Sequence, residues 1–243
     1  IKLNIHTIIL AGGKGTRMLS QKAKVLQILG GKTMLNHIMT TANKISNKIS
    51  VVVGFDKEGV KEEIKKIGIN ANVYFQKEQI GTADAVKTTL KDIDKNEKIL
   101  ILYGDVPLIK VETLKKLCNQ ESEVSILTTN LENPTGYGRA LKDKENNVLQ
   151  IVEEKDADLE QKKIKEIFTG ILVTKGSVLE KYIPEINNNN SAKEFYLTDL
   201  ISIAHKNGFK INTLSSSSEE TAGANNRIEQ EELEKTLRKM NSE

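Results

Sequence analysis

The chain has 243 residues, of which 38% are hydrophobic and 28% are charged, and its formal net charge is +3. This balance is typical of a soluble globular protein and fits that class better than a disordered or membrane-embedded chain. The lysines are spread along the chain, there is no tryptophan and aromatic residues make up only 4%, so neither nucleic acid nor a membrane is an expected partner.

The first half of the chain alternates short apolar runs with amphipathic segments, which is the pattern of strand–helix units that feed a parallel sheet. Val60, Ile64 and Ile67 recur at helical spacing, and residues 83–90 are rich in helix formers. Right-handed crossovers would place helices on both faces of the sheet. The predicted strands are residues 7–10, 50–53, 73–75 and 98–103.

After Val124 the runs are strand-like and are separated by Gly- and Asp-rich turns, which indicates an antiparallel or mixed extension of the sheet. The single cysteine, Cys118, falls on the apolar side of a helical pattern and is predicted to be buried. The predicted strands are residues 124–128, 148–152 and 167–173, the predicted helices are 177–182, 198–206 and 227–239, and the predicted loops are 187–190 and 215–218.

Cellular location can be predicted from what the chain lacks. One cysteine cannot form an intrachain disulfide, and no apolar stretch reaches the roughly 18 residues that span a membrane. The first ten residues do not have the long apolar region of a signal peptide. We therefore expect a cytoplasmic protein.

A glycine-rich stretch, Leu-Ala-Gly-Gly-Lys-Gly-Thr-Arg-Met at residues 10–18, follows the first predicted strand. Its backbone N–H groups could approach a triphosphate closely, and Arg17 could bind the phosphate oxygens. The stretch lacks the ending of a Walker A motif and the third glycine of a dinucleotide fingerprint. Lys24 could return to the same phosphates. The alternative is a tight turn with a solvated arginine and a surface lysine.

Two further strand ends carry candidate binding residues. Residues 76–82 follow the third strand, and their two amides could match the edge of a base, although a polar loop capped by Thr82 explains them almost as well. Asp105 follows the fourth strand and suits magnesium held jointly with substrate phosphates, or else it is a helix cap or turn former. Open α/β sheets bind ligands at this edge. The histidines His6, His37 and His205 are scattered, which favours structural or surface roles.

Taken together, the motifs resemble the sugar-phosphate nucleotidyltransferases, and most closely the uridylyltransferase domains of bifunctional N-acetylglucosamine-1-phosphate uridylyltransferases. The resemblance covers nearly the whole chain, because the blocks occur in the expected order. They are residues 12–18 with Lys24, 76–82, 102–108, 133–139, 153–157 and 223–227.

The resemblance implies an α/β fold, with a Rossmann-like mixed sheet, helices on both faces and a smaller sugar-binding lobe. Residues 1–243 would form one nucleotidyltransferase domain, with 1–110 mainly nucleotide-binding, 111–225 mainly sugar-binding and 226–243 a C-terminal helix. The implied reaction joins UTP and N-acetylglucosamine 1-phosphate with Mg²⁺, giving UDP-N-acetylglucosamine and pyrophosphate for cell-wall peptidoglycan synthesis.

The resemblance also assigns roles to residues. Arg17 and Lys24 would be catalytic and face the phosphates, and Asp105 and Asn225 would bind the metal. Thr198 is a weaker candidate on the sugar side. The substrate-binding residues would be Leu10, Ala11, Gly12, Gly13, Lys24, Gln76, Gln79, Gly81, Thr82, Tyr103, Gly138, Glu154, Tyr196 and Asn225.

The chain departs from the family pattern at three places. Ala23 stands where the family usually has proline, which predicts a less rigid loop. Phe168 stands where asparagine is usual, which puts the sugar contact in question. No hexapeptide repeat of the family's β-helix acetyltransferase domain is found, so we expect no acetyl transfer and a monomer or weak oligomer. The alternative functions are transfer to a different sugar or polyol phosphate and a non-catalytic nucleotide-sugar-binding module.

Overall fold

The computed structural model describes residues 4–14, 21–224 and 227–243. Two of the residues to which the resemblance assigns a role, Arg17 and Asn225, lie outside these ranges. Within them, the strands are β1 (Ile5–Ala11), β2 (Ile28–Leu29), β3 (Lys32–Thr33), β4 (Lys48–Val53), β5 (Asn72–Phe75), β6 (Lys98–Tyr103), β7 (Val124–Asn130), β8 (Arg139–Lys142), β9 (Val148–Val152), β10 (Glu166–Lys175) and β11 (Ile211–Ser215).

Seven α-helices alternate with these strands along the described chain. Short 3₁₀ turns supplement them, including Lys24–Leu26 and Glu154–Asp156. The helices are α1 (Met34–Asn43), α2 (Lys57–Ile67), α3 (Thr82–Lys87), α4 (Val111–Cys118), α5 (Gly176–Tyr182), α6 (Asp199–Lys206) and α7 (Arg227–Asn241).

The central sheet is mixed, in the order β11-β7-β10-β6-β1-β4-β5. Strands β6, β1, β4 and β5 are parallel. Strand β10 runs antiparallel to both β6 and β7, and β11 is parallel to β7. The β8–β9 hairpin extends from β10 through the pair Ile167 and Arg139. The predicted mixed extension is therefore confirmed.

Both faces of the sheet are covered, because apolar side chains occur at consecutive strand positions and alternate between the faces. Ile8 and Ile99 belong to a core with α3, α5 and α6. Ile9 and Leu100 belong to a second core with α1, α2 and α4, which also buries Cys118 as predicted.

Helix α7 packs against a small separate cluster at the β2–β3 hairpin. Leu233 is buried there with Leu29 and Met34. The Glu234 carboxylate accepts a hydrogen bond from the Gly30 N–H at 2.8 Å, and the Gln230 amide donates to the Ile28 carbonyl at 2.9 Å. The end of the described chain thus holds the segment that follows Lys24. No described helix has both the length and the apolar character needed to cross a membrane.

The strands predicted in the sequence all form, and most are longer at their ends than the apolar runs indicated. The hairpin β2–β3 and strands β8 and β11 were not predicted, because they are short and lack a sustained apolar pattern. The predicted loop 215–218 was wrong at its first residue, since Ser215 ends β11 and pairs with Thr128. The predicted helix 83–90 ends at Lys87, and Leu90 begins a 3₁₀ turn.

Candidate active site

A cleft of about 320 Å³ lies at the carboxyl ends of β1, β5 and β6. It adjoins the point where the sheet order reverses around β1, the usual ligand position in open α/β sheets. Most of the predicted nucleotide-side residues converge here. The lining residues are Leu10, Ala11, Gly12, Gly13, Lys24, Val25, Gln76, Gln79, Gly81, Thr82, Ala85, Tyr103, Asp105 and Glu194.

The glycine loop after β1 packs directly against the loop after β4. The Gly12 carbonyl accepts hydrogen bonds from the Phe55 N–H at 3.1 Å and from the Gln79 side-chain amide. A Cβ atom on Gly54 would lie 3.0 Å from the Gly12 carbonyl oxygen. A side chain at position 54 would therefore crowd this contact.

The Gln76 side chain is buried and held in one orientation. Its Nε2 donates to the Gly81 carbonyl at 3.1 Å and to the Asp84 carboxylate at 2.9 Å. Its Oε1 points toward the glycine loop, 3.5 Å from where a Cβ atom on Gly12 would lie. Because both amide protons have acceptors, Oε1 is the polar atom that Gln76 can offer to a ligand.

The loop that carries Gly81 and Thr82 is bonded to a second segment, residues 194–198. Phe195 donates its N–H to the Ile80 carbonyl at 2.8 Å and accepts from the Ala83 N–H at 2.9 Å. The Thr82 hydroxyl accepts from the Leu197 N–H at 2.9 Å. Gly81 has a φ of 128°, and a Cβ atom there would lie 2.3 Å from the Phe195 carbonyl oxygen. This packing permits only glycine at position 81.

Lys24 and Asp105 meet in the cleft. The Lys24 ammonium lies 3.0 Å from the Asp105 carboxylate, with the lysine side chain buried and the carboxylate about one third exposed. The Ala23 N–H donates to the Asp56 carboxylate at 3.1 Å. Proline could not make this bond. This hydrogen bond therefore restrains the loop at Ala23, which the sequence predicted to be less rigid.

A second polar cavity, of about 330 Å³, is lined by Glu153, Asp156, Tyr196 and Asp199 among others. The Thr198 hydroxyl donates to Glu153 at 3.0 Å, and the Tyr196 hydroxyl lies 3.5 Å from Asp156. Burial raises the pKa of Tyr196 to about 12, and it raises the pKa of Glu153 above its ordinary value. Tyr196 and Thr198 thus both contact carboxylates that line this cavity.

The resemblance assigns Glu154 to substrate binding, but its carboxylate is paired with Arg139. Its Oε2 lies 2.5 Å from the Arg139 guanidinium, which is fully buried and also donates to the carbonyls of Tyr137, Lys162 and Ile164. The hydrogen bond and charge of Arg139 lower the pKa of Glu154.

Glu153 instead faces Gly138. Both of its oxygens lie 3.5 Å from where a Cβ atom on Gly138 would be. Sequence reasoning missed Glu153, because two adjacent glutamates precede a helical turn and nothing in their spacing tells which one points inward.

Tyr103 is half-buried beside Asp105 and Glu153. Burial raises its pKa first, and these two negative charges raise it further. Gly170, with a φ of 89°, makes room for the Tyr103 ring, since a Cβ atom there would lie 2.7 Å from it. Phe168, two residues earlier, is buried in the core beside the β8–β9 hairpin and lines neither of the two cavities.

The fold and the cleft define an open-sheet α/β domain with a ligand cleft at its strand ends, and two solved structures share this fold. One is a putative glucose-1-phosphate thymidylyltransferase from Bacillus anthracis, solved with sucrose, at a TM-score of 0.76 and 20% identity, covering 96% of this chain and 95% of that one. The other is a UDP-glucose pyrophosphorylase solved with UDP-glucose, at a TM-score of 0.80 and 14% identity, covering 98% and 100%.

The chain belongs to the MobA-like NTP transferase domain family, whose model matches residues 7–159. Curated relatives include the bifunctional protein GlmU of Buchnera aphidicola subsp. Schizaphis graminum, 40% identical over 98% of this chain and 52% of the relative. The protein of the same name from Neisseria meningitidis serogroup A is 45% identical over 95% and 51%. The chain thus spans about half the length of the curated relatives it matches.

Proposed function

We propose that this chain transfers UMP from UTP to N-acetylglucosamine 1-phosphate, giving UDP-N-acetylglucosamine and pyrophosphate for cell-wall precursor synthesis. The observation that carries the proposal is that one cleft unites a fixed amide acceptor, Gln76, with the Lys24–Asp105 pair. The 40–45% identity to proteins named bifunctional protein GlmU supports it.

The orientation of Gln76 supports uracil as the base. Uracil carries an N–H between its two carbonyl groups, whereas cytosine has an unprotonated ring nitrogen at that position. Since Nε2 of Gln76 already donates to Gly81 and Asp84, its Oε1 would accept from the uracil N–H. Leu10, Ala11, Gly12, Gly13, Gln79 and Thr82 would enclose the base and ribose.

Asp105 fits a magnesium site, because it places a partly exposed carboxylate oxygen at a strand end within the cleft. Asn225 would add a second ligand. When bound, Mg²⁺ would neutralise phosphate charge. Lys24 would shift from Asp105 toward the phosphates and, with Arg17, would stabilise negative charge in the transition state.

The reaction needs no protein nucleophile. A phosphate oxygen of the sugar 1-phosphate would attack the α-phosphorus of UTP, forming a new O–P bond while the bond to the departing pyrophosphate breaks. The contribution of the protein is to align the two substrates and to hold the charges. A cleft whose described lining brings together the Lys24 ammonium, two glutamine amides and the glycines after β1 would serve these ends.

The acceptor sugar would lie between Tyr103 and the second cavity. Glu153 would accept a hydrogen bond from a sugar hydroxyl, Gly138 would offer its backbone, and Thr198 and Tyr196 would complete the wall. Glu154 would act indirectly, by fixing this part of the chain against Arg139. Because Phe168 is buried in the core, it would neither contact nor exclude the sugar.

The proposal also covers the cellular location, the partners and the oligomeric state of the protein. We expect it to work in the cytoplasm on small soluble substrates, without nucleic acid or membrane partners, and to be a monomer or weak oligomer. Light scattering on the purified chain measures the last point directly, and a stable trimer would contradict it.

A pyrophosphate-release assay with UTP, N-acetylglucosamine 1-phosphate and Mg²⁺ tests the activity. Turnover should fall about 10²–10³-fold in Lys24→Ala, as when one preorganised donor is removed. It should fall steeply in Asp105→Asn and recover only partly at high magnesium. Asp94→Asn changes the same group beyond the opposite end of β6 and should leave turnover near that of the parent.

Other outcomes separate the alternatives. A panel of triphosphates, sugar phosphates and polyol phosphates would identify a different substrate pair if one is turned over faster. Tight binding of UDP-N-acetylglucosamine without any pyrophosphate release would indicate a non-catalytic module. Full activity of Asp105→Asn at ordinary magnesium would remove Asp105 from the metal site.

A further inference from the structure

Glu194 lines the nucleotide cleft and has no part in the reaction described above. Among the described lining residues, Asp105 and Glu194 carry the carboxylates, and Asp105 is paired with Lys24 at 3.0 Å. Within the described chain, the Glu194 carboxylate makes no hydrogen bond or ion pair, although the backbone of Glu194 is firmly held. Its side chain is therefore available to a ligand.

The chain fixes the position of Glu194 on both sides. The Asn190 side chain donates to the Glu194 carbonyl at 2.6 Å and accepts from the Glu194 N–H at 3.1 Å. Lys193 has a φ of 56°, an unusual conformation for a residue other than glycine. On the other side, Phe195 is bonded to Ile80 and Ala83 in the base-side loop. These bonds order the backbone before any ligand arrives.

The charge of Glu194 also affects two residues that line the second cavity. Burial is the main cause of the raised pKa of Glu153, and the charge of Glu194 adds to it. The same charge contributes to the raised pKa of Tyr196. Glu194 thus lies near both the nucleotide cleft and the polar cavity beside it.

A carboxylate at this position needs a ligand group that donates hydrogen bonds. Both proposed substrates carry phosphates, which a carboxylate repels, but their ribose and hexose rings carry hydroxyl groups. A carboxylate that accepts from ribose hydroxyls is also the device that selects the nucleotide in dinucleotide-binding folds. Because it is ionised, such an acceptor forms stronger bonds than a neutral one.

We infer that Glu194 is a specificity residue whose carboxylate accepts hydrogen bonds from ring hydroxyls of a bound substrate, on the ribose or on the acceptor sugar. The inference rests on the proposed function, since it takes its two ligands from there. It adds a residue that selects hydroxylated rings at the point where the two cavities approach each other.

The test compares Glu194→Ala with the parent on matched substrates that differ by one hydroxyl. The nucleotide arm uses UTP, 2′-deoxy-UTP and 3′-deoxy-UTP, and the acceptor arm uses deoxy analogues of N-acetylglucosamine 1-phosphate. On the full substrates kcat/KM should fall about 10- to 100-fold, the effect of losing hydrogen bonds to a charged group. On the analogue that lacks the bonded hydroxyl, the kcat/KM values of the variant and the parent should agree within about twofold.

Two control variants sharpen the comparison. Glu194→Gln keeps the shape and one acceptor oxygen, so its loss should be smaller than that of alanine. Glu185→Gln removes an exposed carboxylate outside both cavities and should match the parent on every substrate. Thermal midpoints of all variants show whether the fold is retained.

Glu194→Ala with less than a twofold loss on every substrate would overturn the inference. So would an equal loss on all analogues, since that result would indicate a structural role. A parent that releases no pyrophosphate from UTP and N-acetylglucosamine 1-phosphate would contradict the proposed function instead. Calorimetric titration of the parent and of Glu194→Ala with UDP-N-acetylglucosamine would then decide the inference, with equal affinities counting against it.

Discussion

Glu153 and Glu154 are neighbours in the chain, yet their environments shift their pKa values in opposite directions. Glu153 is half-buried with a raised pKa and faces Gly138, whereas the pKa of Glu154 is lowered by Arg139. A fully buried guanidinium without its carboxylate would be a costly unpaired charge. Arg139 therefore fixes Glu154, and the backbone geometry then directs Glu153 to the other side.

At the residue scale, the paired variants Glu153→Gln and Glu154→Gln should differ in stability. Glu154→Gln weakens the Arg139 pair and should lower the free energy of unfolding by about 1–3 kcal/mol. Glu153→Gln replaces a carboxylate that burial disfavours and should leave stability unchanged or higher. Urea unfolding at pH 7.5 measures both changes.

The same two variants should also differ in kinetics. Glu153→Gln should raise KM for the sugar phosphate more than Glu154→Gln does, while KM for UTP stays within about twofold of the parent in both. Glu132→Gln removes the carboxylate of an exposed pair with Lys165 and serves as the control. If Glu154→Gln proved the more damaging to KM and neutral in stability, Glu154 would be the residue in contact with the sugar.

At the scale of elements, α7 connects the end of the described chain to the segment after Lys24. A Cβ atom on Gly30 would lie 2.4 Å from the Leu237 side chain, so the hairpin and the helix are packed without a gap. Leu233 is buried below them. We expect the order of the β2–β3 hairpin to depend on this helix.

Leu233→Ala tests this dependence. Truncating a buried leucine typically costs about 2–5 kcal/mol. Because this loss of stability is confined to a small separate cluster, amide exchange should become faster first in residues 28–35. The kcat/KM for UTP should fall in the same variant. Ile228→Ala, at a position 73% exposed on the same helix, should change neither quantity. Unchanged protection of the hairpin in Leu233→Ala would show that α7 does not hold it.

Some strands could be predicted from the sequence, and others could not. Strands β1, β4 and β6 were predicted because buried parallel strands form continuous apolar runs, and the more exposed edge strand β5 was predicted from a short apolar run. Those runs also located the cleft, since the polar residues that follow them meet at one edge. Strand β8 could not be predicted, because it forms only when Ala140 packs into a core completed by β9 and β10. The orientations of Glu153 and Phe168 depend on such tertiary contacts too.

For the whole molecule, the edge of the sheet opposite the cleft holds a buried polar network. His6 on β1 contacts Glu97 at 3.0 Å and Ser50 on β4 at 2.7 Å, and it is inaccessible to solvent. Burial lowers the pKa of His6, although Glu97 and Asp92 oppose this effect and Lys48 reinforces it. The histidine predicted to be structural therefore joins neighbouring strands in its neutral form.

The pH dependence of stability should follow from this network. The pKa of His6 is lower in the folded state, so the unfolded state binds the proton first as the pH falls below about 6.5. Stability from this group is then present above that pH and is lost below it, at up to about 1.4 kcal/mol per pH unit. Urea midpoints of the parent and His6→Gln at pH 7.5 and 5.5 should show a smaller pH effect in the variant.

His205→Gln, at an exposed position on α6, controls for the general effect of removing a histidine. Its midpoint should vary with pH as that of the parent does. Equal pH slopes in the parent and in His6→Gln would mean that His6 does not contribute to the acid sensitivity of the fold.

The contact between α7 and the β2–β3 hairpin has a consequence for synthesis. Gly30 and Glu234 are 204 positions apart in the chain, yet they share a hydrogen bond. A ribosome adds residues from the N-terminus at about 5–20 per second, so the hairpin emerges on the order of ten seconds or more before its partner helix. During that interval the nascent chain exposes Leu29 and Met34 to solvent. The segment that follows Lys24 can therefore reach its final packing only after the helix has left the exit tunnel, which delays a complete site until α7 has been made.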